Sequence, residues 1–329
     1  MGRVHGDAAG AAAQVNAEGG LLETVGRELP AGTHRFSHEA MAAVFEVLVA
    51  GEEATYAGQA AAAAFAEVDR LEAALSRFDP SSDVSQINQL KAGESVRVGL
   101  AAFECLAIAA RVWAETGGAF DVTAGALVDC WKAKDGSART PTDAELDDAR
   151  TRTGMNLVAM NAEEHAVHVA RDGMRIDLGG IGKGYALDQV KIILEDWSIG
   201  RALVHGGEST VLALGPPEGV EGWRVAVGSA RSPAGVVETI HLKDRALSGS
   251  AASARNPHII DPRTGRPALG KVGAWALESS AAVADALSTA AFVMAPDEIE
   301  KFCRRIPEVS VMVVVEGEKE PVRFGSWPA

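Results

Sequence analysis

Apolar positions recur every three to four residues over 55–76, where Phe65, Val68, Leu71 and Leu75 share one stripe, and this spacing predicts a long amphipathic helix. The run MAAVFEVLV at 41–49 lacks that period and reads as a strand opened by Met41. A second helix is expected over 101–116, rich in Ala and stopped at Gly117-Gly118. A third is expected from Thr142, which with Glu145 has the pattern of a capping box. Beyond Gly154 the texture changes to short apolar segments between Gly and Pro turns. Strands are expected at 166–170, 174–178, 202–205, 209–214, 223–227, 236–242 and 309–315, and helices at 183–196 and 280–294. Helices interspersed irregularly with such strands predict an α+β fold, with mixed, largely antiparallel sheets and packed helices, rather than a regular βαβ alternation.

Composition narrows the picture. The chain has 329 residues of which 47% are hydrophobic, enough to bury a full core. Residues 1–35, dominated at first by Ala and Gly without apolar periodicity, are expected to form a flexible tail, because such a segment cannot offset its ordering entropy. Residues 36–329 are expected to form the folded domain. The net charge of −14, from 45 acidic and 31 basic residues, argues against nucleic acid as a partner, since its binders carry a basic face. Residues 1–20 show no basic segment followed by an apolar run, and no stretch of about 18 apolar residues occurs, so the chain is expected to be cytoplasmic with no transmembrane segment. Cys105, Cys130 and Cys303 are scattered and odd in number, which suits small core hydrophobes better than disulfides or zinc.

Three stretches carry candidate chemistry. RIDLGGIGKG, 175–184, sets Gly179, Gly180, Gly182 and Gly184 around Lys183 where a strand is expected to turn into a helix. Bare glycines there expose helix N-terminal amides, which suit an anion such as a phosphate; a tight helix-packing turn is the other reading. The spacing is neither a P-loop, because no Ser or Thr follows Lys183, nor GxGxxG. Asp285 and Thr289 are four apart in an otherwise apolar helix, so their oxygens share a face and suit a hard cation such as Mg2+, unless Asp285 caps or pairs internally. HIIDPRTG, 258–265, holds His258 and Asp261 around two isoleucines before a turn at Pro262 and Gly265.

Together these stretches resemble the FAD:protein FMN transferase family, flavin transferases formerly called thiamine-biosynthesis lipoproteins. The likeness runs in order through Met41, SRFDPSSDVSQIN (76–88), GAFDVTAG (118–125), DLGGIGKGYA (177–186), ALVHGGES (202–209), HIIDPRTG (258–265) and ADALSTA (284–290). It implies a flavin transferase-like catalytic domain over 36–329. It also implies Mg2+-dependent transfer of FMN from FAD to a Ser or Thr hydroxyl of an acceptor protein, with release of AMP. A FAD pyrophosphatase giving free FMN and AMP, or a non-catalytic FAD-binding protein, are the alternatives. Carried over, the flavin-contacting positions fall on Met41, Phe78, Ala119, Phe120, Asp121, Asp177, Lys183 and Ile260, and the metal positions on the Gly180 carbonyl, Asp285, Ser288 and Thr289. His258 is the expected proton acceptor, because an imidazole titrates near neutrality. The chain departs from the family's Met-Gly-Thr at Met41-Ala42-Ala43, and has Glu208 where an Asp usually follows the paired glycines.

Overall fold

The computed structural model describes residues 29–133, 135, 137–228, 234–251, 259–318 and 320–328; His258 and residues 1–28 of the expected tail lie outside the described residues. The strands β1 (Thr33–Ala40) and β2 (Ala43–Ala50) form a hairpin with Ala40 opposite Ala43. Met41 therefore opens a two-residue turn rather than a strand, and Met41 and Ala42 both take positive φ, 50° and 55°. Hairpins of this length need positive φ to follow the strand twist, but Gly and Asn, which signal it, are absent. β1 also takes in Thr33–Arg35, which composition had assigned to the tail.

The next elements are α1 (Ala54–Leu75), α2 (Asp83–Asn88), β3 (Ser95–Arg97), α3 (Leu100–Glu115), α4 (Gly125–Cys130) and α5 (Asp143–Arg150). The apolar stripe of α1 is buried as its period requires, and Thr142 and Glu145 make the reciprocal capping box before α5. β4 (Val158–Asn161) and β5 (Ala166–Val169) join β3 in a small sheet of order β3-β5-β4. Residues 174–178 are not a strand. Among the described residues they make one bridge, Arg175 to Ala124, with the Asp177 N–H donating to the Val122 carbonyl at 2.8 Å, while on the other edge the Asn88 side chain accepts from the Ile176 N–H (2.6 Å) and donates to its carbonyl (2.9 Å). A side-chain amide stands where a partner strand would.

The chain continues through α6 (Gly182–Asp196), β6 (Ala202–Gly206), β7 (Thr210–Ala213), β8 (Trp223–Gly228), β9 (Val236–Leu242), β10 (Arg245–Ala251), β11 (Ile260–Asp261), β12 (Arg266–Pro267) and β13 (Lys271–Glu278). It ends with α7 (Ala281–Val293), α8 (Pro296–Arg305), β14 (Ser310–Val315) and β15 (Val322–Phe324). One eight-stranded antiparallel sheet, of order β1-β2-β6-β7-β10-β13-β14-β15, organises the core. Alternation sorts its side chains. Ala246, Ala274 and Ala276 face the core shared with α1, α3, α6 and α7, whereas Leu247, Trp275 and Leu277 face the β8–β9 hairpin on the other side. β10 escapes sequence reading because its centre is Ser248-Gly249-Ser250; a Cβ on Gly249 would meet the Trp275 ring at 2.5 Å. Cys105 and Cys303 are buried and Cys130 is half-buried, all as free thiols. No helix among the described residues is long and apolar enough to cross a membrane.

Candidate functional site

Ser280 caps the start of α7, accepting from the Val283 N–H at 3.3 Å, and the first turn and a half of the helix brings Asp285 over the middle of the sheet. There β7 and β10 pair Thr210 directly opposite Ser248, both pointing to the helix-covered face. Their hydroxyls reach Asp285 Oδ1 at 3.3 and 3.0 Å, and the Gly184 N–H donates to Oδ2 at 3.2 Å. An ionised carboxylate offers about four lone-pair sites. Three are taken, so Oδ2 keeps one for a further partner. Asp285 is thus internally hydrogen-bonded, as one sequence reading had it, without being saturated.

One turn on, Thr289 Oγ1 lies 3.1 Å from Ser250 Oγ, and a Cβ on Gly180 would stand 3.4 Å from Thr289 Oγ1 and 3.3 Å from the Phe120 ring. The bare backbone of Gly180 therefore closes on the same corner. A carboxylate oxygen, a hydroxyl and a carbonyl are hard donors of the kind Mg2+ takes, with remaining positions left to water or phosphate. No group of three His, Cys, Asp or Glu side chains gathers among the described residues, so the donor set fits a cation completed by its substrate better than a protein cage. Ser288 is different. It is fully buried, donates to the main-chain carbonyl of Asp285 at 2.9 Å and touches Ser250 Oγ at 2.9 Å, so its hydroxyl serves α7 and β10 rather than the cleft.

The glycine cluster does both things its sequence allowed. A Cβ on Gly184 would lie 2.2 Å from the Ala281 carbonyl oxygen, so α6 and α7 meet backbone to backbone there. Gly179 and Gly180 instead line the neighbouring cleft, where a Cβ on Gly179 would stand 3.1 Å from Asp177 Oδ1. Asp177 Oδ1 accepts from the Gly179 N–H at 2.9 Å, and its other oxygen is 3.3 Å from Arg77. Lys183 Nζ donates to the Gly179 carbonyl at 3.4 Å.

Around this corner lies a cleft of about 420 Å³, lined among others by Ala119, Phe120, Asp121, Ile260, Asp285 and Thr289. A second hollow of about 200 Å³ contains Met41 and Phe78. The two share Asp177, Gly179 and Lys183, which puts the lysine at their seam. Phe78 is 81% exposed, with the Arg77 guanidinium 4.7 Å from its ring centre. Every described residue expected on the flavin thus borders one of the two lobes. The Asp121 carboxylate, however, is knotted into its own loop. It accepts from the Thr123 N–H (2.8 Å), the Thr123 hydroxyl (2.6 Å) and the Met155 N–H (3.3 Å). Burial pushes its pKa up in spite of these bonds.

Sequence reasoning gave no role at the site to Thr210, or to Ser248 and Ser250 on a strand that carries no strand signal, nor to the buried pair Glu46 and His205 behind the Gly206-Gly207 turn. These two stand opposite each other on β2 and β6 with 2.6 Å between Glu46 Oε2 and His205 Nε2, and Arg35 Nε donates to Glu46 Oε1 at 2.7 Å. Burial raises the Glu46 pKa, but the hydrogen bond and charge of His205, with Arg35, outweigh it, so the carboxyl titrates below its ordinary value. Its ionised form is therefore favoured by folding. That contribution is complete above the usual carboxylate pKa and disappears as pH falls through the lower folded-state value. Glu46→Gln is expected to cost about 1–3 kcal/mol at pH 7, the range for disturbing a charged hydrogen bond. The difference from the unsubstituted protein should narrow in urea titrations below about pH 4.3, the ordinary pKa of a glutamate. A pH-independent difference would mean that the charge of Glu46 contributes nothing.

Residues 41–313 match the ApbE family. The FAD:protein FMN transferase of Vibrio cholerae is 30% identical over 274 residues, spanning 77% of this chain and 80% of its own. The FAD:protein FMN transferase of Escherichia coli K12 is 26% identical over 275 residues, 79% of this chain and 77% of its own. Among solved structures, the ApbE protein of Thermotoga maritima aligns with a TM-score of 0.78 at 29% identity over 89% of this chain and 97% of that one. The flavin transferase ApbE of Vibrio cholerae aligns with a TM-score of 0.78 at 25% identity over 90% and 98%.

Proposed function

The chain belongs to the ApbE family, and from that premise we propose that it transfers FMN from FAD to a Ser or Thr hydroxyl of an acceptor protein, releasing AMP. The observation that carries the reading is the two-lobed cleft, in which Lys183 stands at the seam and Asp285, Thr289 and Gly180 converge at one corner. A dinucleotide has two flat ends joined by a pyrophosphate, and the arrangement has the matching order. The exposed Phe78 ring offers a stacking face at one end. Lys183 stands at the middle, where phosphate charge would lie.

In the transfer, the acceptor oxygen bonds to the FMN phosphorus while the bond from that phosphorus to the bridging oxygen breaks. AMP leaves with the bridging oxygen, and the hydroxyl proton passes to a base. Mg2+, held by Asp285, Thr289 and the Gly180 carbonyl, would supply charge neutralisation on the phosphates. Lys183 adds a fixed positive charge, and the Gly184 N–H and the two strand hydroxyls hold the Asp285 carboxylate in orientation. His258 is our choice of base, on the sequence argument alone. His258→Ala should lose about 10²- to 10⁴-fold in turnover, the usual share of a general base, while FAD affinity stays within twofold. Equal loss of binding and rate would make His258 a ligand contact.

The reading is tested by incubating the protein with FAD, with and without Mg2+ and candidate acceptors, and following products by mass spectrometry. AMP in step with FMN-modified acceptor is expected. AMP with free FMN only would make the protein a FAD pyrophosphatase. Tight FAD binding without AMP would make it a flavin carrier.

A further inference from the structure

The corner that gathers the cation donors is divided between two helices, since Gly180 leads into α6 whereas Asp285 and Thr289 ride on α7. Its geometry depends on how those helices sit. They are joined by a reciprocal exchange in which each helix gives a carboxylate to the other's first turn. Asp285 of α7 accepts the N–H of Gly184, the third residue of α6 (3.2 Å). Asp188 of α6, one turn beyond Gly184, accepts the N–H groups of Ala281 (2.7 Å) and Ala282 (3.0 Å) and the hydroxyl of Ser280 (2.7 Å). The first turn of a helix leaves its amides without internal partners and carries partial positive charge, so a carboxylate placed there fixes the helix end in position and register. Both contacts lie on the side where Gly184 lets the backbones touch.

We propose that Asp188 is the positioning residue of the cation site. It holds the start of α7 on α6 and so sets the distance from Asp285 and Thr289 to the Gly180 carbonyl. Asp188 is not among the residues that line the cleft, and it acts through the helices alone. The inference rests on the cation assignment made above. Partners that orient metal ligands typically change metal affinity by about 10- to 100-fold when removed.

The test is a Mn2+ titration of the full chain with ADP present as a diphosphate, with free Mn2+ read from its electron paramagnetic resonance signal. Asp188→Asn, which keeps the shape but offers fewer acceptors, and Asp188→Glu, which keeps the charge but adds a methylene, should each weaken Mn2+ binding about tenfold. FAD affinity without metal should stay within twofold. Val190→Ala, which empties a buried site on the same helix, is the control, since it should lower the melting temperature while leaving Mn2+ affinity unchanged. Excess Mn2+ should restore much of the lost AMP release in the Asp188 variants. Unsubstituted affinity in both Asp188 variants, or equal weakening in Val190→Ala, would overturn the inference, as would an unsubstituted protein that binds no Mn2+. Failure of the transferase reading is distinguishable. A protein that binds Mn2+ in the expected order of variants but releases no AMP from FAD would keep the positioning role and lose the activity.

Discussion

Asp285→Asn is expected to lower metal-dependent FAD cleavage by about a thousandfold while leaving the fold standing. A cation that neutralises transferring phosphates is worth several kcal/mol, and each 1.36 kcal/mol is tenfold in rate. Among the described residues, Asp285 is the carboxylate that shares a helix face with Thr289 over Gly180. The fold survives because Asn can present its oxygen to the Gly184 N–H and its NH2 to Thr210 and Ser248, whose hydroxyls can turn to accept. The melting temperature should therefore move by only a few degrees, on the order of 1 kcal/mol. What is lost is the full negative charge that would hold the cation. AMP release measured against Mg2+ concentration checks this. A variant with the unsubstituted rate and the same Mg2+ dependence would place the ion elsewhere and leave Asp285 as a cap of α6.

Gly184→Ala is expected to destabilise the protein by about 3 kcal/mol, at the upper end of what an extra buried carbon costs in a packed core. Helix propensity alone points the other way, since Ala is better than Gly inside a helix by about 1 kcal/mol. The contact decides the sign. The added Cβ would lie 2.2 Å from the Ala281 carbonyl oxygen, 2.6 Å from its carbon and 2.8 Å from Ala282 Cα. All three are backbone atoms, so no rotamer change relieves the overlap and α6 must move away from α7. Separation stretches the Gly184–Asp285 hydrogen bond and draws Gly180 away from Thr289, so activity should fall with stability. Urea unfolding gives the first quantity and AMP release the second. Equal or greater stability in the variant would show that the helices are not held at backbone contact.

Much of this was legible along the chain. The stripe of α1, the capping box at Thr142, the glycine stop after α3 and the segments that became β5, β6, β8, β9 and β14 are local signals, because periods of 3.6 and 2 and helix-end chemistry act within a few residues. The exceptions have local causes too. Met41 and Ala42 form a turn without turn residues, and 174–178 lacks a partner strand because Asn88 occupies its ladder.

At the site, the residue types alone identified Asp285 and Thr289 as sharing a face and the glycines as places of close approach, and the order of the motifs identified the family. The sequence could not assign the glycines between their two readings; folding gave Gly184 to helix packing and Gly180 to the cleft. Nor could it show that Thr210 and Ser248, 38 residues apart, both point at Asp285, or that Asp188 caps a helix starting 93 residues later. Those facts depend on strand register and helix contact, which arise only when distant segments pack. Periodicity says which face a residue occupies, and tertiary structure alone says what stands opposite it.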